Sequence, residues 1–163
     1  MKRLLCLILI CCLLLSGCGD FGEWIKEPVT FYYVREDYQK NMDQVIVSEV
    51  REASGHRDDL SYLLALYSMG PAEEGLTSPL PRNIQIMPIE RTSDAIVLSL
   101  SENADMMTDV DFTLASACLA LTCMDLTNAN QVTVACGERK ITIREDNLLQ
   151  ISNSILTQQE ETK

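Results

Sequence analysis

The sequence predicts one α/β domain of the mixed α+β type, in which two helices pack on a single mixed β-sheet. Two observations predict this fold. Short runs of β-branched and aromatic residues alternate with two segments whose apolar residues recur at helical spacing. Glycine, proline and aspartate separate these segments. The expected element order is β-β-α-β-β-α-β-β, and the chain after residue 17 is long enough for one hydrophobic core.

The first half of this domain is expected to contain two strands and one helix. Val29 to Val34 and Val45 to Val50 are runs of the residue types that strands favour. Asp58 or Asp59 can cap the helix that follows, because a carboxylate accepts hydrogen bonds from the first backbone N–H groups. Gly70-Pro71 ends this helix. Its buried face is expected to consist of Leu60, Leu63, Leu64 and Tyr67.

A proline-containing loop follows the first helix. Its candidate interaction residues are Leu76, Thr77, Ser78, Pro79, Leu80 and Pro81. Pro79 and Pro81 restrict their own φ angles and push Ser78 and Leu80 toward extended conformations. The loop is therefore expected to be stiff, with Leu76 and Leu80 holding it against the core.

Two strands are expected between the helices. Ile84 to Ile89 has the composition of a strand, and Pro88 within it predicts an edge position or a bulge, because proline cannot donate a hydrogen bond. Ile96 to Leu100 alternates large apolar residues with others, which is typical of a strand with one buried face. A turn near Thr92 separates the two strands.

The last predicted elements are a long helix and a hairpin. Thr108 and Asp111 resemble a capping box at the start of a helix from about Asp109 to Leu126. This helix is apolar almost all round, so it is expected to pack on more than one side. Val132 to Ala135 and Ile141 to Ile143 predict two strands joined by a glycine turn.

The N-terminal residues predict export. Two basic residues precede an apolar run from Leu4 to Leu15, which is the pattern of a secretory signal peptide. This run is shorter than the roughly 20 residues that span a bilayer. The Leu-Ser-Gly-Cys motif at its end resembles the lipobox of bacterial lipoproteins. That resemblance implies cleavage between Gly17 and Cys18, and a diacylglycerol, typically carrying palmitate, on the Cys18 thiol. The alternatives are an ordinary cleaved signal and an uncleaved anchor.

These segments divide the chain into four parts. Residues 1–17 are the expected lipoprotein signal peptide and residues 18–28 a lipidated tether. Residues 29–151 form the expected domain, and residues 152–163 are a polar C-terminal tail. The expected location is the extracytoplasmic face of the cell membrane, where the lipid anchors the chain.

The charge of the chain restricts its partners. The full sequence has 13 Lys and Arg against 24 Asp and Glu, a net charge of −11, and removing Lys2 and Arg3 with the signal leaves −13. This charge argues against nucleic acid, which is bound through basic residues. It also argues against a polybasic contact with lipid headgroups, so the acyl chains are the expected membrane attachment. The oligomeric state is not specified by the sequence.

The side chains that could perform chemistry do not form a recognisable site in the sequence. His56 lies in a polar loop without a nucleophile that it could activate, and Ser78 lacks the Gly-x-Ser-x-Gly pattern. The acidic residues before the second helix do not match a calcium loop. Other acidic residues are expected on the surface: Glu49, Glu52, Asp58 and Asp59. We therefore expect no catalytic residue, metal or cofactor apart from the covalent lipid.

Three cysteines remain after the signal and Cys18. Three is an odd number and does not suggest a disulfide framework. Cys118 and Cys123 should point to different faces of the second helix, so they should not pair with each other. All three, with Cys136, are expected to be buried small apolar residues. A Cys123–Cys136 bridge is the alternative.

Several of these segments together resemble the GerMN domain, which occurs in lipoproteins of spore germination and sporulation. The resemblance rests on the helix closed by Gly70-Pro71, the stretch Gly75-Leu76-Thr77-Ser78-Pro79-Leu80-Pro81, the strand from Val97 to Ser101, and the hairpin with Gly137. It covers roughly Val29 to Leu149. It implies a non-catalytic envelope module, similar to ring-building folds, that acts in protein interaction or assembly and has an envelope protein as partner.

A different class of function stays open. The domain could bind cell-wall glycan or peptide, with Trp24, Tyr32 and Tyr38 as stacking surfaces.

Overall fold

The structure is a computed structural model that describes residues 27–40 and 44–147. The predicted signal peptide, Gly17, Cys18, most of the tether, and the tail lie outside these residues. The strands are β1 (Pro28–Arg35), β2 (Ile46–Glu52), β3 (Leu76–Thr77), β4 (Glu90–Arg91), β5 (Ala95–Ser99), β6 (Gln131–Cys136) and β7 (Arg139–Arg144). The helices are α1 (Leu60–Ser68), a 3-10 helix (Glu102–Met106) and α2 (Asp109–Thr127).

The predicted α+β class is confirmed, but the strands form two sheets instead of one. The first sheet has the order β2-β1-β3 and the second has the order β4-β5-β6-β7. Strands β5 and β6 are parallel, and α2 connects them. The other pairings between strands are antiparallel.

Side chains from both helices cover part of one edge of β1. Strand β3 pairs only with the end of β1, at Val34 and Arg35. Farther back along the same edge, the Tyr32 N–H donates to Thr122 Oγ1 of α2 at 3.0 Å. The Tyr32 carbonyl accepts from the Tyr67 hydroxyl of α1 at 3.1 Å. These side chains satisfy the backbone groups that a further strand would need at Tyr32.

Helix α2 packs between the sheets, which confirms that it is enclosed on more than one side. It contacts β1 on one side, and β6 and β7 on the other. Thr108 caps it as predicted: its hydroxyl accepts from the Asp111 N–H at 3.2 Å and donates to the Asp111 carboxylate at 2.7 Å. Within the part of the chain that the structure describes, α2 is also the helix whose length and composition would suffice to cross a membrane. Its packing between two sheets accounts for that composition.

Helix α1 forms as the sequence predicts. The Asp59 carboxylate accepts from the Tyr62 N–H at 3.0 Å, so Asp59 is the N-cap. The helix ends where Gly70 adopts a positive φ of 91° and its N–H bonds the Tyr67 carbonyl. The buried face consists of the four predicted residues Leu60, Leu63, Leu64 and Tyr67.

Three aromatic side chains join α1 to β1. The rings of Tyr33 and Tyr67 stack with centroids 4.8 Å apart, and Phe31 meets both edge-on. The Tyr33 hydroxyl donates to the Tyr67 carbonyl at 3.0 Å. Each buried tyrosine hydroxyl thus has a partner, as a buried polar group requires. Burial raises the pKa of Tyr33 to about 12.

Glu49 is buried, contrary to the surface position expected for it, and only 4% of it is exposed. Strand β2 turns Glu49 and Arg51 toward the interior because alternate residues of a strand face the same side. The Glu49 carboxylate accepts from the Ala72 N–H at 3.1 Å and lies 3.6 Å from Arg51 Nε. Arg51 donates to the Gly70 carbonyl at 2.9 Å. Glu49 and Arg51 thus hold the segment that follows α1 against β2.

The strand expected from Ile84 to Ile89 is wrong as a continuous element, but its edge position and bulge are confirmed. Ile86 forms an isolated bridge with Leu100, and β4 pairs Glu90 with Val97. Between these two pairings the register shifts by one residue, so one extra residue is accommodated near Pro88. Pro88 lies in this irregular stretch at the edge of the sheet, where proline is tolerated because its nitrogen needs no partner.

Candidate functional site

The proline-containing loop is held against the core as predicted. Leu76 and Leu80 are 9% and 6% exposed. Ser78 Oγ accepts from the Leu80 N–H at 3.2 Å and donates to the Leu80 carbonyl at 3.1 Å. The Ser78 hydroxyl therefore stabilises the turn. The sequence did not predict that Leu76 and Thr77 form β3, which pairs with β1 and fixes the start of the loop.

This loop forms one wall of a groove of about 510 Å³, called the loop groove below. The floor is apolar and includes Val34, Ile84 and Leu114. The opposite wall comes from the 3-10 helix and the start of α2. The rim includes Tyr38, Pro79, Pro81, Met106, Met107 and Asp111. A concave groove of this volume, in which polar side chains such as Asn83, Asn103 and Thr108 border an apolar floor, is typical of binding sites.

Met106 was missed by the sequence reasoning. It is 88% exposed at the end of the 3-10 helix, and it lines the loop groove. Met106 and Met107 are adjacent within an acidic connection and follow neither helical nor strand spacing, so nothing in the sequence indicates that Met106 lies at a groove. An exposed flexible thioether beside an apolar groove is suited to a contact with another molecule. Nearby, Asn103 Nδ2 donates to the Asn83 carbonyl at 2.9 Å, which ties the two walls together.

Arg139, at the start of β7, holds the wall opposite the loop. Its guanidinium donates to the Met107 carbonyl at 2.9 Å and to the Thr108 carbonyl at 3.0 Å. It also lies 3.0 Å from the Asp109 carboxylate and 4.2 Å from the centre of the Phe112 ring. The segment between the 3-10 helix and α2 is therefore held in place by β7 of the second sheet. Both walls of the loop groove are thus anchored to the rest of the domain.

The other residues considered for chemistry do not come together. The exposed His56 ring stacks on Tyr62 with centroids 4.1 Å apart. Asp111 takes part in the cap of α2. Within residues 27–40 and 44–147, no three His, Cys, Asp or Glu side chains are grouped so that they could hold a metal ion. That the chain is not an enzyme remains a prediction.

The three described cysteines are free and buried, which confirms their interpretation as small apolar residues. The alternative bridge between Cys123 and Cys136 is wrong. Burial raises the pKa of the Cys118 thiol and of the Cys123 thiol to about 12. Thiols with such a pKa are almost wholly protonated at neutral pH and are therefore poor nucleophiles and metal ligands.

The buried thiols predict a stability that falls at alkaline pH. Between pH 9 and 12 the unfolded chain loses the thiol protons while the folded chain keeps them, so the free energy of unfolding decreases as pH rises. Urea unfolding at pH 8 and at pH 10 should show this decrease. Replacing both Cys118 and Cys123 with alanine should reduce the difference between the two pH values. An equal difference in that variant would contradict the assignment to these thiols.

The aromatic residues considered for glycan stacking occupy different places. Tyr38 is half-buried at the loop groove. Tyr32 is half-buried beside α2, where burial and the Asp125 carboxylate raise its pKa. Trp24 lies outside the described residues. The two described tyrosines thus do not share a pocket.

Comparisons with known proteins found similar solved structures, and two of them are described here. One is a 2.5 Å crystal structure of a protein assigned as a lipoprotein from Clostridium perfringens, with 14% identity and a TM-score of 0.46, covering 75% of this chain and 89% of that one. The other contains the tandem GerMN domains of the sporulation protein GerM from Bacillus subtilis, with 18% identity and a TM-score of 0.48, covering 73% of this chain and 42% of that one. GerMN domains are thus among the structures that this chain resembles. No family model and no curated protein sequence matches the chain.

Proposed function

We propose that this chain is a lipid-anchored, non-catalytic module on the outer face of the cell membrane, and that it binds another envelope protein through the loop groove. The observation that carries the proposal is the groove itself. The loop that the sequence singles out forms one wall, and the exposed Met106 stands on the rim.

The lining of the loop groove suits a protein segment. The prolines of the loop lose little conformational entropy on binding because their φ angles are already restricted. An apolar side chain of a partner would remove Met106 and the apolar floor from water, which favours association. Asp111 is the one charged residue among the described residues that line the groove, so polar groups at the rim would orient the partner without dominating the affinity.

A role in sporulation or germination is the finer part of the proposal, and it is supported by the sequence resemblance to the GerMN domain.

The second candidate function is binding of cell-wall glycan or peptide. It is favoured by Tyr38, whose aromatic side chain lies at the same groove as the amides of Asn83 and Asn103. Aromatic rings and amides together are groups that bind polar ligands with apolar faces.

Site-specific photo-crosslinking in cells tests the proposal. A photoreactive amino acid at position 106 should capture one recurring envelope protein, identified by mass spectrometry. The same amino acid at position 145 is the matched control, because Glu145 is exposed and follows the end of β7 farthest from Arg139. Capture of the same protein from both positions, or of glycan-bearing material alone, would contradict binding of a protein in the loop groove.

Met106→Asp should weaken binding of the partner without changing the stability of the fold. The side chain is exposed, so its replacement should change the free energy of unfolding by less than about 0.5 kcal/mol. Crosslinking from position 79, on the opposite wall, should nevertheless fall strongly, because a carboxylate would have to be desolvated against an apolar partner. Unchanged crosslinking from position 79 would show that Met106 is not part of the contact.

A further inference from the structure

A second groove, called the edge groove below, lies between α1 and the irregular segment from Ile84 to Ile89. Its volume is about 520 Å³, and Leu64, Leu80 and Ile86 contribute to its apolar lining. Among the described residues that line it, none belongs to β5. The groove therefore lies on the side of the segment that faces away from β5, at the open edge of the second sheet.

The backbone of Ile86 points toward that open side. The flanking residues make the hydrogen bonds to the β5 side: Met87 N–H donates to the Ser99 carbonyl at 2.8 Å, and Ser101 N–H donates to the Gln85 carbonyl at 2.9 Å. Ile86 and Leu100 thus form a non-hydrogen-bonded pair, in which the N–H and C=O of each residue face outward. The Leu100 N–H accordingly donates to β6, at the Ala135 carbonyl.

The outward groups of Ile86 have no hydrogen-bond partner among residues 27–40 and 44–147. Ile86 thus has one free donor and one free acceptor on its outward side. In an antiparallel ladder, a single residue of an added strand forms both hydrogen bonds with such a residue. Pro88 has no N–H, so it offers no second donor farther along this edge. The site thus presents one complete antiparallel backbone pair beside an apolar groove.

We propose that the edge groove binds an extended apolar peptide segment that adds as an antiparallel strand at Ile86 and carries a carboxylate toward its C-terminal end. Strand addition to an open sheet edge is a general mode of peptide recognition, in which the backbone supplies affinity and the neighbouring pockets supply selectivity. Here α1 forms the wall opposite the edge, so the added strand would be enclosed on both sides.

The positive charge at the edge groove favours a peptide that carries a carboxylate. Arg82 is the one charged residue among the described residues that line the edge groove, although the whole chain has a net charge of −11. Arg82 is exposed and forms no ion pair with another described residue. In an antiparallel arrangement the C-terminal end of the added segment lies toward Arg82, because Arg82 precedes Ile86 in the chain. An acidic side chain or a free C-terminus there would complement the guanidinium.

This proposal does not rest on the loop groove. The loop around Leu80 and Pro81 lies between the two grooves, and Met106 lines only the loop groove. Met106→Asp should therefore leave peptide binding in the edge groove unchanged, so the two proposals can fail separately.

The probe for the test is a fluorescein-labelled peptide, Thr-Val-Thr-Ile-Thr-Val-Asp, with a free C-terminus. Its binding to the full-length, detergent-solubilised protein is measured by fluorescence anisotropy. Ile86→Pro removes the outward N–H and leaves the bonds of Gln85 and Met87 in place, whereas Ile86→Ala is the matched control that removes the side chain alone. We expect binding to Ile86→Pro to be about tenfold weaker than to Ile86→Ala, because the peptide carbonyl loses its donor.

A backbone-modified probe tests the same point on the unaltered protein. The peptide with an N-methyl group on its central isoleucine should bind about tenfold more weakly than the parent peptide, since it cannot donate to the Ile86 carbonyl. Arg82→Gln should weaken binding of the parent peptide about threefold and should not affect the peptide that ends in an amidated asparagine.

Three results would overturn the proposal. The first is equal binding of the peptide to Ile86→Pro and Ile86→Ala. The second is equal binding of the parent and N-methylated peptides. The third is self-association of the protein that Ile86→Pro abolishes and that the peptide does not displace, because a second copy would then occupy the edge.

Discussion

Replacing Cys18 with alanine is expected to abolish membrane anchoring. The lipobox-like motif predicts that the Cys18 thiol receives a diacylglycerol, and alanine has no thiol to modify. Each buried CH₂ contributes about 0.8 kcal/mol to membrane binding, and two acyl chains are needed for stable attachment. The strongly acidic chain offers no polybasic segment that could replace them. The Cys18→Ala chain should therefore remain an unlipidated and mislocalised precursor, which cell fractionation and a phase-partition assay can compare with the original chain.

The matched control is Cys12→Ala, which changes a cysteine within the expected signal peptide and leaves the motif intact. This variant should partition into detergent like the original chain. Mass spectrometry of both proteins should find the lipid mass only where Cys18 is present. Detergent partitioning of the Cys18→Ala protein with the same mass as the original would show that Cys18 does not carry the anchor.

Replacing Tyr67 with alanine is expected to lower the free energy of unfolding by about 4 kcal/mol, a large part of the stability of an ordinary domain. The Tyr67 ring is fully buried and stacks on Tyr33. Alanine would leave a cavity in this aromatic cluster. It would also leave the Tyr32 carbonyl without the hydroxyl that donates to it, which adds the cost of an unsatisfied polar group. Urea unfolding measures the change.

Two further variants separate these contributions. Tyr67→Phe keeps the ring and removes only the hydroxyl, so it should cost about 1–2 kcal/mol. Tyr62→Ala is the control on the same helix, because Tyr62 is 37% exposed and should cost less than either change. Equal losses for Tyr67→Ala and Tyr62→Ala would show that the aromatic cluster does not hold α1 against β1.

Elements defined by local pattern were predicted correctly. The four buried residues of α1, the Thr108 cap and the β6–β7 hairpin each depend on residues close together in the chain. Helical spacing, a capping hydroxyl and strand alternation are local signals, and the backbone follows them when tertiary packing agrees. The apolar composition of α2 also indicated correctly that more than one side of the helix is covered.

The candidate site could be predicted only in part. The loop from Leu76 to Pro81 was singled out from its prolines, and its two leucines are buried as expected. Met106 and Asn103 were not identified as groove residues, because the wall opposite the loop comes from segments distant in sequence. Their proximity depends on Arg139, which holds the junction before α2 from the far end of the chain.

The sequence by itself determined the helices, most of the strands, the acidic charge and the expected lipid anchor. Tertiary structure alone decided that the strands divide into two sheets and that Thr122 and Tyr67 reach the backbone of Tyr32. It also decided that Glu49 is buried and that Ile86 presents its backbone at an open edge. The physical reason is the same in each case. Local patterns specify which face of an element is apolar, whereas the partner of each edge and each polar group is selected only when distant segments pack together.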